Sequence, residues 1–211
     1  MRTIITITGK SGSGKTTLEE YLKCNLSSKV CSLQMAELLK SVVSVLTGCR
    51  TKALDDQDFK KSLSPYIINN HGILKQLTYR ELLLHIAGIL RFDNDDIFIN
   101  YVLNKLDYYT ETFEDVIVII PDVREKHELE SLQDYAKENN INLISVRVIR
   151  PCCINTPYYK HKSETDLDDY KAFDHTIIND KDVNDFIISI DTFIKDAKLK
   201  SKFNYVEQEL F

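Results

Sequence analysis

The amino-acid sequence predicts an α/β fold of three layers, with helices on both faces of a mostly parallel sheet. Three observations carry that prediction. Short β-branched runs alternate along the chain with segments whose apolar residues recur at the helical period. The run Val116 to Ile120 is apolar at every position, as a strand buried on both faces must be. A glycine-rich turn, Gly9 to Thr16, joins the first such strand to the first helix. At 211 residues, 43% hydrophobic and 28% charged, the chain suits one large domain with a substantial core and excludes a long disordered protein.

The elements follow in order. Residues 3 to 8 are β-branched and lead directly into the glycine turn, so they predict a strand and not a signal peptide. Leu18, Tyr21 and Leu22 open a helix, and a short strand is expected from Val30 to Leu33. Met35, Leu38, Leu39, Val42, Val43 and Leu46 line one face of a second helix that Gly48 stops. Residues 49 to 78 mix Lys, Asp, Ser and Asn with Pro65 and Gly72, and are expected to be irregular or short helices. Two helices broken near Asp93 to Asp95 should span Tyr79 to Leu106. After the strand from Val116 come a helix through Leu129, Leu132, Tyr135 and Ala136, a strand from Leu143 to Ile149, and a last strand from Asp174 to Ile178. Val183, Phe186, Ile187, Ile190, Phe193, Ile194 and Ala197 close the chain with a strongly periodic helix.

Gly9-Lys10-Ser11-Gly12-Ser13-Gly14-Lys15-Thr16 matches G-x-x-x-x-G-K-[ST] in the strand-to-helix context that confirms it. The glycines let successive N–H groups turn toward phosphate oxygens, and the helix that follows adds its positive end. Lys15 is expected to bridge the terminal phosphates, Thr16 to offer its hydroxyl to Mg²⁺, and Gly9 to Thr17 together to hold the nucleotide. The fold class is therefore of the P-loop NTPase type.

A phosphate loop does not by itself choose between a switch and a kinase. Asn104-Lys105-Leu106-Asp107 matches the guanine-reading N-K-x-D motif. Yet Phe98, Val102, Leu106 and Tyr109 space as one helix face, which puts Asn104 and Lys105 on the solvated side, and no Asp has Gly three residues later. That disfavours a GTPase. Asp122 closes the strand from Val116, where a second acid would hold the metal, against the bland alternative of a helix N-cap. Arg80, Arg124 and Arg150 are the arginines expected to meet phosphates, with surface ion pairs as the competing use. Arg2 and Arg147 look structural. Residues 150 to 170 are polar and carry Lys160, His161 and Glu164, which suits a lid; His161 reads better as part of a basic lid than as a general base.

Taken together, the loop, Thr78-Tyr79-Arg80-Glu81, Asp95-Asp96-Ile97-Phe98, Pro121-Asp122-Val123-Arg124, Arg150-Pro151, His161-Lys162-Ser163-Glu164 and Phe173-Asp174 resemble the deoxynucleoside monophosphate kinases of bacteriophages and other viruses. The resemblance covers nearly the whole chain. It implies one P-loop kinase domain, residues 1 to 211, with an acceptor-binding, largely helical insertion at about 49 to 110, and transfer of the γ-phosphoryl of ATP, with Mg²⁺, to a 5'-monophosphate. Lys15, Arg124 and Arg150 would be catalytic, Thr16 and Asp122 would hold the metal, and Arg80, Arg91, Lys160, His161 and Glu164 would bind substrate. This chain departs from the family in having Thr16 and Ser13, the ordinary loop residues. Animal phosphomevalonate kinases resemble the same scaffold and are the alternative, and a nucleotide-binding regulatory subunit is a third reading. For a nucleotide, Tyr66, Tyr79, Phe92 and Phe98 are candidate stacking faces, with Asn69, Asn70 and His71 as candidate donors to the base edge.

Composition narrows the partners. A net charge of −5 argues against a protein that coats nucleic acid. No apolar run approaches the roughly 20 residues of a membrane span. The five cysteines are odd in number and lack zinc spacing, so a reducing, cytoplasmic setting is expected. Small-molecule nucleotides are the expected partners, with homodimerisation left open.

Overall fold

The computed structural model describes residues 1–70, 72–151 and 165–202. The chain divides into two compact units, Met1–Gln34 with Leu103–Phe211, and Met35–Val102.

The first unit is built on a five-stranded sheet: β1 (Arg2–Thr8), β2 (Lys29–Ser32), β5 (Val116–Ile120), β6 (Asn142–Ile149) and β7 (His175–Ile178), in the order β2-β5-β1-β6-β7. Every pairing is parallel, with β1 in the centre (Thr6 opposite Ile120 on one side and Ser145 on the other). Parallel strands need crossovers, and helices α1 (Lys15–Asn25), α6 (Lys126–Glu138) and α7 (Val183–Asp196) lie between or beyond them. The sheet is covered on both faces, because Ile4, Ile5 and Ile7 are fully buried although successive side chains point to opposite faces. Leu18 and Leu22 of α1 and Phe186, Ile190, Phe193 and Ile194 of α7 join Ile5, Ile7, Ile119 and Val146 in one core cluster. This is the three-layer P-loop α/β fold. Arg2 and Arg147 are structural, as expected: Arg2 Nε donates to Phe113 O, and Arg147 donates to the carbonyls of Leu167 and Asp168 and to the Asp168 carboxylate.

The second unit holds α2 (Glu37–Thr47), a 3₁₀ turn (Thr51–Asp55), α3 (Gln57–Lys61), β3 (Leu63–Asn70), β4 (Ile73–Thr78), α4 (Tyr79–Phe92) and the start of α5 (Ile97–Thr112), which runs on into the first unit. Gly48 ends α2 in the left-handed region, φ 74, and its N–H caps Ser44 O. The expectation of irregular or short helices for 49 to 78 is half corrected. The short helices are there, but β3 and β4 pair as antiparallel strands, with Ile68 opposite Lys75 and Asn69 opposite Leu74. Thr78 then starts α4 through a capping box: its hydroxyl accepts from Glu81 N–H while the Glu81 carboxylate accepts from Thr78 N–H. Val43, Leu54, Leu77, Tyr79, Leu82 and Ile86 form this unit's own core.

Candidate active site

The phosphate loop connects β1 to α1, and two of its glycines stand where any side chain would be strained and crowded. At Gly9, φ 150, a Cβ would lie 2.4 Å from the Val148 carbonyl of neighbouring β6. At Gly14, φ 110, it would lie 2.7 Å from Asn179 Nδ2 and 3.0 Å from the Phe186 ring. The loop is thus pressed against β6 and α7 through bare backbone. Gly14 is the N-cap of α1 and has no side chain to cap it, and no acid occupies the first turn. An anion is the group that such a helix end accepts. Lys15 curls over the loop, its Nζ donating to the carbonyls of Gly9 (2.6 Å) and Lys10 (2.9 Å). Thr16 and Thr17 are exposed in the first turn. A triphosphate fits this cradle, since Lys15 and the loop amides would meet it directly and the Thr16 hydroxyl is exposed beside them for a hydrated Mg²⁺.

The strands on either side of β1 bring further candidates to the same sheet edge. Asp122 lies two residues past the end of β5, half-buried. The N-cap alternative for Asp122 is excluded: the helix that follows begins at Lys126, and Glu125 is its N-cap. The intervening turn is held by Glu128, 4% exposed, whose carboxylate accepts from the N–H groups of Arg124 (2.9 Å) and Glu125 (3.1 Å). Burial pushes the Glu128 carboxyl above its usual range, the two N–H donors pull it back, and the charges of Glu125 and Asp122 add to the rise. Arg124 is exposed. On the other side Arg150, also exposed, follows β6, and its guanidinium approaches the Gly12 carbonyl at 3.4 Å. Lys10 of the loop is ion-paired with Asp168 at 2.7 Å, and Arg147 holds the same carboxylate at 3.2 Å. Asp166 reaches the start of α6, accepting from Lys126 N–H at 2.7 Å. Both acids fall in the polar stretch expected to be a lid, and the sequence alone gives neither of them a partner.

In the second unit Arg80 is half-buried near the start of α4, and donates to Gln57 Oε1 at 2.6 Å. Arg91 lies over the Phe98 ring, 4.9 Å from its centroid. Two of the four candidate stacking aromatics are corrected to core. Tyr79 is 8% exposed, with its ring 4.5 Å from that of Phe59, and Phe98 is 5% exposed. Their positions at i, i+3 and i+4 to other apolar residues already marked a buried face. Tyr66 packs partly against the core, while Phe92 is exposed. Asn69 is used inside the hairpin turn, accepting from Gly72 N–H at 2.8 Å. Lys160, His161, Glu164 and His71 lie outside the described residues, as does most of the expected lid. Asn104 and Lys105 are exposed on α5, so the N-K-x-D match is a solvated helix face and not a strand end. Among the described residues no helix is long and apolar enough to cross a membrane.

No family model and no curated protein matches the chain. Among solved structures it resembles the tunicamycin resistance protein of Deinococcus radiodurans, with a TM-score of 0.55 at 12% identity over 97% of this chain and 100% of that one. Looser likenesses include the shikimate kinase of Aquifex aeolicus, TM-score 0.42 at 12% identity over 92% of this chain and 98% of that one. The APS kinase of Mycobacterium tuberculosis in complex with AMPPNP and APS scores 0.43 at 11% identity over 93% and 98%. With the tunicamycin resistance protein, at 12% identity, the fold is what is shared.

Proposed function

We propose that this chain is an ATP-dependent kinase that transfers the γ-phosphoryl group, with Mg²⁺, to the phosphate of a (deoxy)nucleoside 5'-monophosphate. The observation that carries the reading is the sheet edge around the loop: Lys15 over the cradle, Asp122 from β5 and Arg150 from β6 on either side of it. A binding module needs the cradle but has no use for cations that meet charge developing on a transferred group. A GTPase switch uses such cations too, and what speaks against it is that no Asp has Gly three residues later and that Asn104 and Lys105 lie exposed on a helix.

The acceptor phosphate is already largely ionised near neutral pH, its second pKa being about 6, so no general base is required and His161 keeps its role in the lid. An acceptor oxygen forms the new P–O bond as the bond to the β-phosphate oxygen breaks, giving ADP and a nucleoside diphosphate. In this reading Lys15, Arg124 and Arg150 stabilise the transferring group. Thr16 and Asp122 hold the metal, which screens the phosphate charge when bound. Arg80, Arg91, Lys160, His161 and Glu164 serve the acceptor and the lid. The choice of a nucleotide acceptor rests on the family resemblance and on Tyr66 and Phe92, since Tyr79 and Phe98 are core. Phosphomevalonate therefore stays as the alternative acceptor. ADP release measured across all deoxynucleoside and ribonucleoside monophosphates plus phosphomevalonate tests the reading. Turnover with deoxynucleotides is expected, and turnover with phosphomevalonate alone would move the assignment to the alternative.

A further inference from the structure

Asn179 follows β7 directly and is 8% exposed. Its backbone N–H donates to Ile149 O at 2.8 Å, which carries the β6–β7 ladder one residue further. Its side chain then crosses to the phosphate loop, where Nδ2 donates to the Ser13 carbonyl at 2.9 Å. The orientation of the amide is forced, because a carbonyl only accepts and must face the NH₂ end. Ser13 is 1% exposed, so without Asn179 its carbonyl would be left in a nearly dry site with no donor.

The consequence lies on the other side of the peptide. The bond joining Ser13 to Gly14 is trans and planar, so its C=O and N–H point in opposite directions. Holding the Ser13 oxygen toward Asn179 fixes the Gly14 N–H on the far side, where it belongs to the row of loop donors. The same amide blocks Gly14 from behind, as the 2.7 Å approach to an ideal Cβ shows. We infer that Asn179 is a positioning residue for the donor phosphates, locking the Ser13–Gly14 peptide in the plane that presents Gly14 N–H to an anion. The inference rests on the reading of the loop as the ATP site.

The test compares Asn179→Ala and Asn179→Asp with wild type in the full chain, by calorimetric titration with ATP and with inorganic tripolyphosphate, which has no base to bind elsewhere. Each affinity is taken as a ratio to wild type at the same pH, and thermal unfolding checks the fold. At about pH 8 both variants should bind both probes roughly tenfold more weakly, the size of one lost buried hydrogen bond. At about pH 5.5 the buried carboxyl of Asn179→Asp, its pKa raised by desolvation, carries a proton and can donate again to Ser13. That variant should then recover several-fold while Asn179→Ala does not. Affinities within about threefold of wild type for both variants, or a loss in Asn179→Asp that ignores pH, would overturn the inference. Should Asn179→Ala unfold, the pH response of Asn179→Asp decides alone. Wild-type protein that binds neither probe overturns the ATP-site reading beneath it, a result that needs no variant and so is separable from the first.

Discussion

Replacing Gly14 by alanine puts a methyl group against the back wall of the phosphate loop. Gly14 sits at φ 110, ψ 11, a region that costs an L-residue on the order of 1–3 kcal/mol. The added Cβ would lie 2.7 Å from Asn179 Nδ2 and 3.0 Å from the Phe186 ring. Phe186 is 3% exposed within the main core and cannot retreat without opening a cavity. Asn179 is the softer neighbour, so its hydrogen bond to Ser13 gives way, adding about 1 kcal/mol. The native loop is therefore disfavoured by roughly 2–4 kcal/mol. Ser11 and Gly12 are exposed, which allows the loop to rearrange before the domain unfolds. Part of the cost then appears as lost stability and part as lost phosphate affinity. Urea unfolding of Gly14→Ala at saturating ATP collects both parts, because a ligand that binds only the native loop couples its affinity to stability. The variant should lose about 2–4 kcal/mol under those conditions and less without ATP. Losses below about 0.5 kcal/mol in both would show that the loop is indifferent to that methyl and is not packed against Asn179 and Phe186.

Three further outcomes are expected. Asp122→Asn should raise the Mg²⁺ concentration needed for half-maximal turnover, and an unmoved Mg²⁺ titration would remove it from the metal site. Arg80→Gln should raise the KM for the monophosphate more than that for ATP, and equal rises in a two-substrate titration would contradict the placement of Arg80 with the acceptor. Glu81, held at about 2 by Lys75 and by the Thr78 N–H and hydroxyl, has a folded pKa below its unfolded one, so its share of stability is present above about pH 4.5 and is lost toward pH 2. Urea midpoints of wild type should therefore fall more steeply with acid than those of Glu81→Gln, and parallel profiles would show that the carboxylate does not anchor α4.

The elements legible in the sequence are those whose signal is local. Val116 to Ile120 is apolar throughout and stops at Pro121-Asp122, and α7 carries both its period and its Asp182 cap, so strand and helix were read within a residue or two. The phosphate loop is equally local, because eight consecutive residues hold its glycines, lysine and threonine. The β3–β4 hairpin was not legible. Its inward residues Ser64, Tyr66 and Leu77 are of mixed polarity, whereas Ile67, Ile73 and Leu74 are exposed, so alternation is inverted at the positions that would reveal it. Pro65 also argues against a strand, and it is tolerated where only one neighbouring strand must be paired. At the site the limit is distance along the chain. Asn179 meets Ser13 across 166 positions, and Asp168 meets Lys10 across 158, and no spacing rule reaches that far. The two aromatic residues are a different case: Tyr79 and Phe98 have the chemistry to stack on a base, but their helical spacing to other apolar residues points to the core, and their burial shows that they are in it.

Phosphoryl transfer is read from the fate of label from γ-³²P-ATP incubated with the protein, Mg²⁺ and single 2'-deoxynucleoside 5'-monophosphates. Label should appear in a deoxynucleoside diphosphate with stoichiometric release of ADP. Lys15→Ala should lower the rate by about 100-fold or more while the protein remains folded, as expected when a charged contact to the transferred group is lost. Label found only in inorganic phosphate would show hydrolysis instead of transfer, and a Lys15→Ala rate within about tenfold of wild type would show that Lys15 does not meet the transferred group.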